Sequence, residues 1–81
     1  MAELEEMMHK QVEDEFKGVL KYDELIEKMP KEHTKHIVIL RNIQKDQAVH
    51  TLELVNMAMD MGFREPPIVQ QLEDFFKIKE Y

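Results

Sequence analysis

The chain has 81 residues and 43% hydrophobic content, so it makes one small domain whose thin core would gain from pairing. It contains no cysteine, which excludes disulfides, thiolate nucleophiles, zinc fingers and cysteine-ligated iron. Seventeen acids against eleven Lys and Arg give a net charge of −6, a field that repels phosphate backbones and argues against a nucleic-acid partner.

Residues 2–29 carry one Gly and no Pro and are rich in Glu, Lys, Leu and Met, all good helix formers. The stripe Met8, Val12, Glu15, Val19, Tyr22, Ile26, Met29 alternates steps of four and three, which is a heptad seam. Glu3, Glu5 and Glu6 put acid at the helix start, where the macrodipole favours it. A helix over about 2–29 is predicted.

Pro30 suits the first turn of a new helix, and Gly62 sits where a C′ glycine would end one. Between them lies a second seam: His36, Leu40, Ile43, Gln47, His50, Leu54, Met57, Met61. A second helix over about 31–61 follows, and the short connection predicts that the two lie antiparallel. Beyond Pro66-Pro67, the residues Ile68, Leu72, Phe75 and Phe76 give a third helix, about 67–79, an apolar face that should pack on an open end or side of the bundle. The expected fold is all-α: a single domain over residues 1–81, a long helical hairpin with a short C-terminal helix.

Apolar residues also flank the seams: Phe16 and Leu20 on the first helix, Ile37, Val55 and Ala58 on the second. A lone hairpin would leave that surface wet, so a homodimer or higher homo-oligomer completing a four-helix bundle is expected. No apolar run approaches the roughly 20 residues needed to span a bilayer, and the start, MAELEEMMHK, lacks a signal-peptide pattern. No membrane partner and a cytoplasmic location are the expectations.

Glu15, Gln47 and His50 interrupt the apolar seams, and a buried carboxylate must be paired, protonated or bound to a cation. Glu15 lies sixteen residues before a hairpin turn centred near residue 31, and Gln47 lies sixteen after it. At about 1.5 Å per residue the two sit at one depth, with His50 a turn further along. A bundle core with a carboxylate on one helix and a carboxylate-imidazole pair on the next binds metal, and carboxylates and imidazole suit iron, manganese or zinc. Gln47 puts a neutral, poorer donor in that pair. A polar layer in which Glu15 is satisfied by Gln47, His50 or Tyr22 is the simpler reading. His9, His33 and His36 read as surface or cap residues, and Met57, Met59 and Met61 as packing residues.

Asp14-Glu15, then Gly18 and Tyr22, resembles the first-helix pattern of the ferritin-like superfamily, in particular its rubrerythrin-like branch and the half-bundle ferritins. Lys45-Asp46-Gln47-Ala48-Val49-His50 is similar to that family's second-helix run ending in Asp-Glu-x-x-His, with Gln47 where the pattern has glutamate. The resemblance spans residues 8–62. It implies a ferritin-like four-helix bundle built from two hairpins, with metal held by Glu15, Gln47 and His50 and with Tyr22, Asp46 and Glu53 around them. It also implies iron oxidation or storage or peroxide handling, an oxidoreductase chemistry that would need an external electron donor. The alternative is a metal-free bundle or interaction module that keeps the fold, which the neutral Gln47 favours.

Overall fold

The computed structural model describes residues 2–79. They form three helices, α1 (Ala2–Lys28), α2 (Thr34–Asp60) and α3 (Val69–Lys79), with no strand among the described residues. α1 and α2 make the antiparallel hairpin, and the whole measures 50 × 21 × 15 Å.

α1 runs without interruption and closes at Met29, whose N–H donates to the Ile26 carbonyl at 3.1 Å. α2 begins at Thr34 rather than near residue 31. Pro30 opens a tight turn instead, its carbonyl accepting from the His33 N–H at 3.0 Å. A helix starting at residue 31 would run straight on from α1, and reversing the chain uses these few residues as a turn. At the far end the Gly62 expectation holds. Gly62 has φ +81°, its N–H donates to Met59 O at 2.9 Å, and the Phe63 N–H reaches back to Ala58 O at 3.0 Å. That pair of bonds is a Schellman cap, and the left-handed residue at its centre favours glycine.

The stripe that packs inside the hairpin follows the predicted seam on α1 and departs from it on α2. On α1 the buried positions are Val12, Val19 and Ile26 of that seam, with His9 and Phe16 beside them. On α2 they are Gln44, Ala48, Thr51, Val55 and Ala58, each one residue beyond a position of the predicted seam. One residue is about 100° of helix rotation. Ala48, Thr51 and Ala58 are small, and small side chains let two helix axes approach closely. The bulky stripe is thereby turned outward.

α3 lies against the opposite side of the hairpin. Leu72 and Phe75 are buried in a cluster with Val12, Phe16, Val19, Ala48 and Val55, with Ile68, Val69, Leu54 and Phe76 around it. Phe16, Val55 and Ala58 are therefore covered within one chain, contrary to the expectation that they await a partner. The loop leading to α3 is clamped to α1. The Glu5 carboxylate accepts from the Arg64 N–H at 2.8 Å and from its guanidinium at 2.7 Å, and His9 Nε2 bonds the Arg64 carbonyl at 2.9 Å.

Candidate functional site

With α3 on one side, the other side of the hairpin is open, and the predicted seam of α2 lies there. Ile43, Met57 and Met61 of that seam are exposed, with Leu40 and Leu54 half-buried between them and Leu25 and Ile39 exposed beside it. Glu15, Gln47 and Tyr22 are half-buried in the middle of this face, and His50, Asp46 and Glu53 are exposed.

The depth argument from the sequence is reflected in two adjoining grooves that share Glu15. In the first, of about 520 Å³, Glu15 lies with Gln47 across the hairpin, alongside Asp14, Gly18, Lys21, Tyr22 and Leu25. In the second, of about 290 Å³, it lies with His50, Glu53, Leu54 and Met57. Asp46 lines neither. Gly18 leaves open space at the first groove, with nothing beyond its own stretch of helix backbone within 4 Å of where a Cβ would stand.

The bond that satisfies Glu15 is local. Its Oε1 accepts from Gln11 Nε2 at 3.1 Å, one turn back on the same helix, in place of Gln47, His50 or Tyr22. Among the described residues no three His, Asp or Glu side chains converge closely enough to hold a metal ion. The described residues of one chain thus present no ready coordination shell for iron, manganese or zinc. The open face carries a carboxylate, an amide and an imidazole.

The polar centre that the sequence reading missed lies inside the hairpin, nearer its turn. Gln44 is fully buried; its Nε2 donates to Val19 O at 3.1 Å and to Asp23 Oδ1 at 2.9 Å. Arg41 Nη1 completes the network, donating to Gln44 Oε1 and to Asp23 Oδ1, both at 3.0 Å. The available signal was the run of small residues at Ala48, Thr51 and Ala58, whose heptad partner is Gln44. His9, expected at the surface or in a cap, is buried instead, because its partner is a carbonyl in a distant loop.

No protein-family model, no curated protein and no solved structure matches the chain. What is established is a three-helix hairpin protein with an open, mostly apolar face carrying a central polar patch. Among the described residues no helix is long and apolar enough to cross a membrane.

Proposed function

We propose that the chain is half of a ferritin-like four-helix bundle: two copies pair through their open faces and hold divalent metal in the polar layer between them. The observation that carries this reading is the open stripe itself. It keeps heptad spacing along α2 from Leu40 to Met61, it is apolar above and below, and it is polar at the one level where Glu15 lies beside Gln47 and His50. A solvated helix face has no reason to keep such a seam, whereas a bundle interior does. Over about twenty residues of helix the stripe runs roughly 30 Å, long enough for a full bundle interface.

The second copy would bring its own carboxylate, amide and imidazole to the same level, doubling the donor set. Carboxylate with imidazole suits iron, manganese or zinc. Iron oxidation or storage and peroxide handling are the activities in keeping with this reading, and the chain has no cysteine for a built-in sulfur-ligated redox centre, so electrons would come from another molecule. A metal-free assembly module is the second reading. It is favoured by the Gln11–Glu15 bond, which satisfies the carboxylate without metal.

Sedimentation equilibrium and metal analysis test the two parts. A dimer is expected at tens of micromolar, with metal retained by the parent after purification without chelator and lost in Glu15→Ala. A 9.7 kDa species at that concentration would refute the pairing. A dimer with equal, trace metal in both proteins would refute the metal site and leave the assembly module.

A further inference from the structure

His9 is buried, and its Nδ1 is the one buried side-chain polar atom among the described residues that has no partner. Its other nitrogen, Nε2, lies 2.9 Å from the Arg64 carbonyl. A carbonyl only accepts, so the ring proton sits on Nε2, and Nδ1 holds a bare lone pair. The ring in this arrangement is neutral. A second proton could enter only at Nδ1, where the new N–H would be buried with no acceptor, a strongly disfavoured placement. The charged groups around the ring oppose one another. Glu5, one turn back on α1, attracts an imidazolium, and the Arg64 guanidinium repels it. Those two are paired at 2.7 Å, so their fields at the ring largely cancel. Glu6, Lys10 and Glu13, the other charges within a turn on α1, are exposed, as are Asp60 in the last turn of α2 and Glu65 beside Arg64. Residues 69–72, the first turn of α3, carry no charge. The missing acceptor at Nδ1 is therefore what decides.

We infer that His9 is a pH-sensitive latch on α3: neutral, it holds the Arg64 segment against α1, and it releases that segment when the ring takes up a second proton. Arg64 is fixed through both of its backbone groups, the N–H by Glu5 at 2.8 Å and the carbonyl by His9. Two residues on, Pro66 is fully buried, and its carbonyl accepts from the Val69 N–H at 3.3 Å where α3 begins. Arg64 thus sets where α3 enters, and α3 brings Leu72 and Phe75 to the core. A doubly protonated ring must turn to water to satisfy its new N–H, and the bond to Arg64 goes with it. The open form then binds one proton more than the closed form. The latch is complete above the ordinary histidine range and weakens as pH falls through it. Glu5 titrates lower, because Arg64 holds its carboxyl below the usual glutamate range, so the two events separate along the pH axis. Neither metal nor pairing of two copies enters this inference.

Hydrogen exchange of backbone amides, followed by nuclear magnetic resonance on the full chain in chelator at one protein concentration, reads the latch. Rates are taken between about pH 7.5 and 5.5 and corrected for the intrinsic pH dependence of exchange. The amides of Val69 and Leu72, bonded to the Pro66 and Ile68 carbonyls, report on α3. One proton taken up on opening raises their opening constant by up to about tenfold per pH unit as pH falls. His9→Gln puts an amide N–H where Nε2 stood and has nothing to titrate, so its opening constant should stay level over this window. The ring nitrogen-15 shifts of the parent should place the proton on Nε2 at neutral pH. A parent whose α3 opening stays level or falls in acid would overturn the inference, and so would a ring proton found on Nδ1. A rise in His9→Gln equal to the parent's would overturn it as well, by moving the effect to another group. Should His9→Gln fail to fold, the parent's own profile and ring signals still decide.

Discussion

Replacing Gln44 by Ala probes a polar network built on a fully buried side chain of the hairpin. Gln44 makes three hydrogen bonds, to Val19 O, to Asp23 and from Arg41. At about 0.5–1.5 kcal/mol each they set an upper range, but the net loss is smaller. Asp23 and Arg41 keep their own ion pair at 3.0 Å, and with side chains 35% and 37% exposed they regain water. The polar loss is then about 1 kcal/mol. Removing a fully buried side chain between two closely packed helices adds a cavity cost of about 1–2 kcal/mol. The sum, about 2–3 kcal/mol, corresponds to a fall in Tm of roughly 10–20 °C for a domain of this size. Gln44→Met keeps the volume and loses the bonds, so it should cost only about 1 kcal/mol. Thermal and urea unfolding followed by circular dichroism, at one fixed protein concentration because pairing shifts Tm, gives both values. A Gln44→Ala variant no less stable than an exposed control such as Asn42→Ala would refute the packing register described for α1 and α2.

Gln47→Glu is nearly isosteric and adds a carboxylate beside Glu15 in each copy. It should lower Tm in chelator and raise it with Mn²⁺, because like charges repel in the apo layer and a ligand bound only by the folded state stabilises it. A Tm unmoved by metal would sink the metal reading. Leu72→Ala empties the anchor of α3, a residue only 1% exposed, and should cost about 2–4 kcal/mol; an unchanged melt would mean that α3 is not part of the cooperative core. The Arg64 N–H, and then its guanidinium, hold the Glu5 carboxyl below the ordinary glutamate range. A depressed carboxylate contributes stability that is complete above its unfolded pKa and lost as pH falls through the lower folded value. Acid titration should therefore weaken the clamp as pH falls through and below the ordinary glutamate range, and Glu5→Gln should flatten that part of the stability curve. A curve parallel to the parent's would show that the clamp contributes nothing.

Local signals alone determined the three helices and the cap at Gly62. Helix-forming composition, proline breaks and a glycine in the left-handed region act within a few residues, so no distant contact can hide them. The common depth of Glu15, Gln47 and His50 was also legible, because an antiparallel hairpin fixes depth by counting from its turn. Which stripe faces which neighbour was not. α2 carries apolar residues on several faces, and periodicity weighs Leu, Ile and Met above Ala and Thr. The hairpin packs on Ala48, Thr51 and Ala58, where the backbones can come close, and α3 covers Phe16 and Val55. The bulky seam through Ile43, Leu54 and Met57 is thereby left outside. Gln44 entered the core because Val19 O, Asp23 and Arg41 satisfy it there, and Arg64 found Glu5 and His9 across more than fifty residues of sequence. Those partners exist only once the chain has folded, since a side chain's cost of burial depends on neighbours that sequence spacing does not specify.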